Sequence, residues 1–357
     1  MSPKIFYKLN PDNIVPLSRT PWAGERISRL KSLYLNKYSF PTRIGETWEV
    51  STDLNFPSRI LSEDSSELLL SDLIARDGSR VLGKNVVSRY GHHCPLLLKW
   101  LHANDLLSVQ VHPSHGFGSL SPTECGKPEA WLILGVEQRA FVFLGFKEGL
   151  TEDEIKQHLT NDEPEKCLHK YYPKLHDYIS IPPGCIHAVG PGIFFAEPQY
   201  ILAGKSGKTL RVSDWRRKFN ARGEVCETGS FRELHLEEGL KSIDWTLPRG
   251  AELEKRLIRN LADQSKFSGN LDSPFAVEIF MRPGNTVFQP PARDQFSILT
   301  VWQGVVTITS KKGVKATLLG GESCLISADA QDLQLSLMPY LGEEPRAAVF
   351  TLMLDLV

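Results

Sequence analysis

The 357-residue sequence has no paired cysteines, no long apolar run and almost no net charge. Its six cysteines are scattered without a Cys-x-x-Cys pair, which argues against a disulfide framework and favours a reducing compartment. No apolar run approaches the roughly 18 residues that a membrane span needs, and the N-terminal stretch MSPKIFYKLNPDNIVPL lacks the apolar core of a signal peptide. We therefore expect a cytoplasmic protein without a membrane partner.

The chain is nearly neutral overall, and its histidines are confined to one region of the sequence. The formal net charge is −1 at pH 7, so there is no electrostatic reason to expect a nucleic-acid partner. Histidine is absent from the first 91 residues and from the last 122, since all ten histidines lie between His92 and His235. Any histidine-based chemistry is therefore confined to the middle of the chain.

Short strand-like segments, separated by proline and glycine, make up most of the sequence. Examples are TWEVS (47–51), AFVFLGF (140–146), DYISIPPG (177–184) and VVTITSKKGVKATLL (305–319). Many short strands with such punctuation predict an all-β sandwich or barrel architecture. The length exceeds what one small core can organise, so we expect two domains.

Helices are predicted at only a few places. LTEDEIKQHL contains a capping box, formed by Thr151 and Glu154, ahead of an apolar face. Pro164 suits the first position of a second helix over PEKCLHKYY, which Pro173 ends. These two helices predict a small helical insert at about 150–173, and a further short helix is expected near LSDLIA (70–75).

A weak internal repeat suggests how the domains are arranged. DYISIPPGCIH (177–187) and ESCLISADAQD (322–332) share a strand followed by a turn, at an offset of 145 residues. The first copy ends on a histidine and the second on an aspartate. With TLPRGAELEKRL (246–257) as the junction, we predict a metal-binding catalytic domain at 1–245, which includes the insert. Residues 246–357 are predicted to be a second β domain without metal ligands.

The segment LSVQVHP places Gln110 and His112 on one face of a strand, because residues i and i+2 point the same way. Glu129 in GKPEAW and His187, after the tight turn of PPGCIHAV, are the other candidate ligands. Two imidazoles, one carboxylate and one amide oxygen suit a divalent ion, zinc above all. Singly, each residue has an ordinary alternative: a solvated glutamine, a turn histidine, a surface carboxylate or a core histidine. The prediction depends on their combination.

The same segments resemble a known family. PxGxxH at 182–187 resembles the second cupin motif, and QVHP…GKPEAW resembles the divergent first motif of type I mannose-6-phosphate isomerases. Further matching segments occur in family order: PWAG (21–24), IGETWEVS (44–51), PLLLKWLHANDLLSVQVHP (95–113), TLRVSDW (209–215) and FRELHLEEGLKSI (231–243). The resemblance covers most of residues 20–245 and implies a mainly β fold of two cupin-type β-barrels (jelly rolls) with a small helical insert. The C-terminal third matches only as a generic β barrel.

This resemblance implies a zinc-dependent aldose–ketose isomerase, with one Zn²⁺ per chain, that interconverts mannose 6-phosphate and fructose 6-phosphate through an enediolate. It places the metal ligands on Gln110, His112, Glu129 and His187, the catalytic roles on Arg211, Lys127 and Glu197, and substrate binding on Ser108, Lys99 and Trp22. The residue that moves the proton is left open between Glu197, Lys127 and a metal-bound water. Without the resemblance, Arg211 reads as a surface arginine paired with Asp214, and Lys127 as a solvated loop lysine. A sugar phosphate is the expected small-molecule partner, and we expect a monomer.

One segment departs from the family pattern. In EPQYILAGKSGKTLR (197–211), Pro198 and Ile201 replace polar residues and AGKSGK (203–208) is predicted to be a flexible basic loop, which puts substrate range in question. GKSGK lacks the spacing of a phosphate-binding P-loop. Two rival functions are an Fe(II) dioxygenase of the same fold and a non-catalytic sugar-phosphate-binding module. A glutamine ligand argues against the first, and the complete ligand set argues against the second.

Overall fold

The computed structural model describes residues 4–61, 68–290 and 294–357. Within these residues the strands are β1 (Phe6–Lys8), β2 (Glu46–Val50), β3 (Arg59–Ile60), β4 (Leu68–Leu69), β5 (Leu96–Ala103), β6 (Val109–Val111), β7 (Glu124–Cys125), β8 (Glu129–Val136), β9 (Val142–Phe146), β10 (Leu168–Tyr171), β11 (Asp177–Ile181), β12 (His187–Val189), β13 (Ile193–Tyr200), β14 (Ser206–Gly207), β15 (Leu210–Ser213), β16 (Lys218–Phe219), β17 (Ser230–Phe231), β18 (Ile258–Asn260), β19 (Lys266–Phe267), β20 (Phe275–Phe280), β21 (Gly284–Phe288), β22 (Ser297–Gln303), β23 (Val305–Thr309), β24 (Lys315–Leu319), β25 (Glu322–Ile326), β26 (Leu333–Met338) and β27 (Arg346–Leu352).

The helices in the described part of the chain are α1 (Arg26–Tyr34), α2 (Leu70–Val81), α3 (Lys84–Tyr90), α4 (Glu152–Thr160), α5 (Pro164–Cys167), α6 (Leu236–Ser242) and α7 (Gly250–Leu257), with a 3₁₀ helix at Leu354–Leu356. Strands hold 37% of the residues and helices 17%, so the predicted mainly β fold is confirmed. None of the helices described is long and apolar enough to cross a membrane.

The first half of the molecule is a sandwich of two sheets. A six-stranded sheet, in the order β18-β11-β8-β13-β5-β2, faces a five-stranded sheet, in the order β10-β9-β12-β6-β15. Side chains of both sheets meet in one buried cluster, where Trp131 and Phe195 of the first sheet join Val142 and Leu144 of the second. Pairing two sheets in this way buries one face of each.

The second half repeats this arrangement. A six-stranded sheet, in the order β1-β25-β22-β27-β20-β19, covers a four-stranded sheet, in the order β21-β26-β23-β24. The two six-stranded sheets share a further core, to which Trp100 and Phe194 contribute from the first half and Ile298 and Phe350 from the second. The sheets therefore stack in four layers, and strands of the inner layers are buried on both faces.

Two strands belong to sheets on the other side of the predicted domain boundary at residue 245. The N-terminal strand β1 pairs with β25 of the second half, with Phe6 opposite Ile326. Strand β18 extends the first half's six-stranded sheet, with Ile258 opposite Ile179 on β11. The predicted junction contains helix α7 instead of an extended linker. Whether residues 1–245 and 246–357 behave as separate domains stays a prediction.

The helical insert follows the predicted capping box. The Thr151 hydroxyl accepts from the Glu154 amide (3.3 Å), and the Thr151 amide donates to the Glu154 carboxylate (2.7 Å). The second predicted helix is partly wrong: α5 ends at Cys167, and Leu168–Tyr171 forms β10 on the edge of β9. Pairing with an open sheet edge prevails here over local helix propensity. Helix α2 is present where predicted, but it is longer than LSDLIA.

Candidate metal centre

Strand alternation separates two sets of side chains in the six-stranded sheet of the first half. On β8, Ala130 and Leu132 face the inter-sheet core shared with the second half, whereas Trp131 and Ile133 face the sandwich interior. The period of two therefore turns Glu129 into the interior. The same alternation turns three polar side chains of β5 and β13 the same way: Lys99, Glu197 and Gln199.

The five-stranded sheet supplies the opposite wall. Val109 and Val111 of β6 pack outward against the helical insert, so Gln110 points into the sandwich. In the register of this sheet, Gln110 lies opposite His187 on β12 and opposite Arg211 on β15. Gln110 and its two cross-strand neighbours therefore share one face.

A turn at Gly184 connects His112, the remaining candidate ligand, to this wall. Gly184 has φ = 82°, and a Cβ on it would lie 2.7 Å from Asp244. Its amide donates to the carbonyl of His112 (2.8 Å), which ties the PPGC turn to the end of β6. The turn thus needs glycine, and it sets the two histidines side by side, with ring centroids 4.9 Å apart.

The ligand atoms of His112, Glu129 and His187 all lie within 4.8 Å of one another. Nε2 of His112 is 3.4 Å from Oε2 of Glu129, and Nε2 of His187 is 3.4 Å from Oε1. Nδ1 of His112 faces the Lys208 carbonyl (3.2 Å), and Nδ1 of His187 faces the Cys185 carbonyl (2.9 Å). Since a carbonyl can only accept, Nδ1 carries the proton and Nε2 keeps its lone pair, as in a metal-ligating histidine.

The donor set fits a divalent cation. Nε2 of His112 is buried and has no hydrogen-bond partner among the described residues. Burial and the positive charge of Lys127 lower the pKa of His112 to about 3, and burial also lowers the pKa of His187. Both rings are therefore neutral at pH 7 and present lone pairs towards one carboxylate, an arrangement that a cation would satisfy.

Gln110 is oriented for the same purpose. Its Nε2 donates to the Ser108 hydroxyl (2.9 Å), so its Oε1 is the amide atom that remains for a cation. Gln110 is half-buried, while the other three candidate ligands are at most 3% exposed. Three of the predicted ligands thus lie around one point of the interior and Gln110 lies opposite one of them, His187, on the adjacent strand, and the ligand roles of all four stay predictions.

Lys127 is a buried cation beside the candidate ligands. Its Nζ lies 3.2 Å from Oε2 of Glu129. Burial by itself would raise the pKa of Glu129, but the positive charge of Lys127 holds it well below its usual range. Burial by itself would lower the pKa of Lys127, because it disfavours the charged form. The negative charges of Glu129 and Glu197 nevertheless raise this pKa above its usual value. The alternative of a solvated loop lysine is wrong.

Glu197 is held by donors on both oxygens. Nε1 of Trp131 donates to Oε1 (3.2 Å), Nε2 of Gln199 donates to Oε2 (2.5 Å), and Nζ of Lys99 lies 3.8 Å away. Burial, followed by the negative charge of Glu129, raises the pKa of Glu197 to about 8. The two hydrogen bonds stabilise the ionised form and oppose this rise. A carboxyl that titrates near neutral pH is suited to proton transfer.

Arg211 reaches the cavity from the opposite wall. Its guanidinium donates to the Glu233 carbonyl (2.8 Å), and its Nε is buried without a partner among the described residues. Asp214 instead pairs with Arg217 (2.8 Å) and Arg232 (2.5 Å). The alternative of a surface Arg211–Asp214 pair is therefore wrong.

These side chains line a cavity of about 700 Å³. The predicted site residues on its wall are Trp22, Lys99, Ser108, Gln110, Lys127, Glu129, His187, Glu197 and Arg211. Sequence reasoning missed Gln199, Glu46, Trp48 and Arg232, which also line it. For Gln199 the only signal was its i+2 spacing from Glu197. At the rim, Ser206–Gly207 of the predicted AGKSGK loop pairs in parallel with Glu124–Cys125.

Comparisons with known proteins show which proteins this chain resembles. Residues 27–127 match the family model of the catalytic domain of type I phosphomannose isomerases. The chain is 30% identical over 231 residues to the mannose-6-phosphate isomerase ManA of Bacillus subtilis, covering 64% of this chain and 68% of that protein. It is 29% identical over 231 residues to the mannose-6-phosphate isomerase of Streptococcus mutans, covering 64% and 66%.

A solved structure extends the likeness in fold to nearly the whole chain. The crystal structure of a Bacillus subtilis mannose 6-phosphate isomerase aligns with a TM-score of 0.74 at 21% identity, covering 97% of this chain and 99% of that one. These relatives support the predicted cupin-like fold and do not favour the dioxygenase or binding-module alternatives.

Proposed function

The chain belongs to the type I phosphomannose isomerase family, and on that premise we propose that it interconverts mannose 6-phosphate and fructose 6-phosphate. The observation that carries the proposal is the buried His112–Glu129–His187 cluster, of which Glu129 and His187 line a cavity of about 700 Å³. A phosphorylated hexose fits such a volume, and cationic and acidic groups line the same space.

We propose Zn²⁺ as the metal, one per chain, with Gln110, His112, Glu129 and His187 as its four ligands. Three neutral ligands and one carboxylate leave a net positive charge on a zinc site. When bound, the ion supplies Lewis-acid stabilisation to the negative oxygen that develops as the enediolate forms. Lys127 fixes the carboxylate of Glu129 and keeps a second positive charge close to it (3.2 Å).

Substrate binding is assigned to groups on the cavity wall. Arg211 carries a permanent positive charge and is suited to the phosphate or to a negative oxygen of the reacting carbons. Lys99 brings a further cation to the cavity. The Ser108 hydroxyl accepts from Nε2 of Gln110 (2.9 Å) and keeps its own proton for a substrate oxygen. Trp22 offers an apolar wall against a sugar face.

Isomerisation moves a carbonyl between C1 and C2 of the sugar. A base must remove the proton from C2 of the aldose and return it to C1, while a proton passes between the two oxygens. We assign the carbon-to-carbon transfer to Glu197, because Lys127 is engaged with Glu129. Trp131 and Gln199 hold the carboxyl of Glu197 in one orientation (3.2 and 2.5 Å).

The test is isomerisation of mannose 6-phosphate with detection of fructose 6-phosphate. Purified protein is assayed directly, after EDTA, and after zinc is restored, with metal content measured in each sample. We expect activity to vanish with EDTA and to return with zinc. His187→Gln should lose both zinc and turnover, and the matched control His169→Gln should keep both, because His169 pairs with Glu254 (2.6 Å) outside the cavity. No turnover after zinc is restored would refute the proposal.

The oligomeric state is part of the same proposal. All the proposed ligands and substrate contacts come from one chain, so a monomer can carry a complete site. Light scattering of the purified protein checks this, and a stable dimer would contradict it.

A further inference from the structure

A single buried glutamine connects two of the acidic groups that line the cavity, Glu129 and Glu197. Nε2 of Gln199 donates to Oε2 of Glu129 (3.0 Å) and to Oε2 of Glu197 (2.5 Å). Gln199 is 1% exposed, so it is shielded from solvent almost completely. The proposed isomerisation uses its contact with Glu197, but neither the motifs nor that mechanism assigns a role to its contact with Glu129.

The NH₂ group of glutamine suits this bridge. It has two diverging donors, and each carboxyl group offers an acceptor oxygen whether or not it is ionised. Strand geometry sets the three groups in place: Gln199 lies directly opposite Glu129 across β13 and β8, and two residues along the strand from Glu197. A shorter side chain at this position cannot span both partners.

The bridge also places a donor on one oxygen of Glu129. Oε2 receives the Gln199 donor, lies 3.2 Å from Lys127 Nζ and is 3.4 Å from Nε2 of His112. Oε1 is turned towards Nε2 of His187, at 3.4 Å. Two donors on one oxygen fix the rotation of the carboxylate, and a carboxylate held in this way loses less conformational freedom when it binds a cation.

We propose that Gln199 is a positioning residue, which holds the carboxylate of Glu129 in its metal-binding orientation and keeps Glu197 at a fixed separation from it. This inference rests on the proposed isomerase function and adds to it a residue that need not touch the substrate. Gln199 acts on the reaction through its two neighbours.

The consequence is measurable in metal binding as well as in turnover. Removing an outer partner of a metal ligand typically weakens metal affinity or activity by about 10- to 100-fold. Gln199→Leu keeps a side chain of similar size but loses both donors, so the zinc dissociation constant should rise by about that factor. With zinc saturating, kcat should fall because Glu197 is no longer held, whereas KM should stay within about twofold.

The experiment compares the full-length wild type with Gln199→Leu and with Gln295→Leu as the matched control. Gln295 is also a buried glutamine, but its amide donates to the Leu352 carbonyl in the second half of the molecule. Zinc affinity is measured by competition with a chelator of known affinity, and kcat and KM with excess zinc. Gln199→Leu should lose zinc affinity and kcat, and Gln295→Leu should lose stability alone.

Equal zinc affinities for Gln199→Leu and the wild type would overturn the inference, as would equal losses of affinity in Gln199→Leu and Gln295→Leu. If circular dichroism shows that Gln199→Leu does not fold, Gln199→Asn replaces it, since asparagine keeps an amide that reaches only one carboxylate. A wild type that binds zinc but does not isomerise mannose 6-phosphate would refute the proposed function. The zinc titrations would still test Gln199 on their own.

Discussion

Lys31 and Glu49 form an ion pair that is almost completely removed from solvent. Nζ of Lys31 lies 2.7 Å from Oε1 of Glu49, and the two side chains are 0% and 2% exposed. The ammonium also donates to the Gly321 carbonyl (3.0 Å), and Oε2 of Glu49 accepts from the Ser323 hydroxyl (2.8 Å). Since Gly321 and Ser323 belong to the second half of the molecule, this pair links the two halves.

Replacing Lys31 by methionine keeps the length of the side chain and removes its charge. Breaking a buried pair from one side typically costs about 3–5 kcal/mol, because the remaining charge stays buried without a partner. Glu49 retains hydroxyl donors from Thr47 (2.6 Å) and Ser323, so we expect a loss near the lower end, about 3 kcal/mol. That is a large part of the roughly 5–15 kcal/mol by which a folded domain is stable.

Urea denaturation of Lys31→Met, Lys31→Met/Glu49→Met and wild type measures this loss. The double variant should recover most of it, because a buried pair and an apolar pair of similar volume often have similar free energies. Lys241→Met is the matched control: Lys241 pairs with Glu237 at 2.6 Å, but both side chains are mostly exposed, and no measurable loss is expected. If Lys31→Met were as stable as Lys241→Met, the reasoning about burial would be refuted.

Two further predictions concern the cavity and the acid limit of stability. Glu197→Gln removes the assigned proton carrier, so kcat should fall by about 10²-fold or more. The zinc content measured by metal analysis should stay unchanged. Retained turnover would show that Glu197 does not carry the proton. Burial lowers the pKa of His102 to about 4 in the folded protein, against 6.5 in the unfolded chain. As pH falls from about 6.5 towards 4, the unfolded chain therefore binds a proton at His102 before the folded protein does, and the free energy of unfolding decreases. The difference of about 2.5 pK units corresponds to roughly 3 kcal/mol. His102→Asn, whose Oδ1 can accept from the Arg26 amide as Nδ1 does (3.1 Å), should show a weaker acid dependence of the urea midpoint, and equal slopes would contradict the assignment.

Local rules predicted those parts of the molecule that depend on neighbours in the sequence. The capping box of Thr151 and Glu154 needs only residues three apart, and it starts α4 as predicted. Strand alternation in LSVQVHP put Gln110 and His112 on one face because a pleated strand has a period of two. Motif resemblance located the candidate ligands, although no spacing in the sequence could show that they meet.

Tertiary structure decided everything that depends on a distant partner. LHKY (168–171) became a strand because β9 offered an open edge, and the N-terminal strand β1 paired with β25, where Phe6 lies opposite Ile326, 320 positions along the chain. Gln199, Lys31 and the pairing of Asp214 with Arg232 could not be recognised in advance, because a hydrogen bond between buried groups is set by which strands are adjacent. The sequence by itself determined, through strand alternation, the face on which polar side chains such as Gln110 lie. The stacking of sheets determined which of those faces came together to form one cavity lined by charged groups.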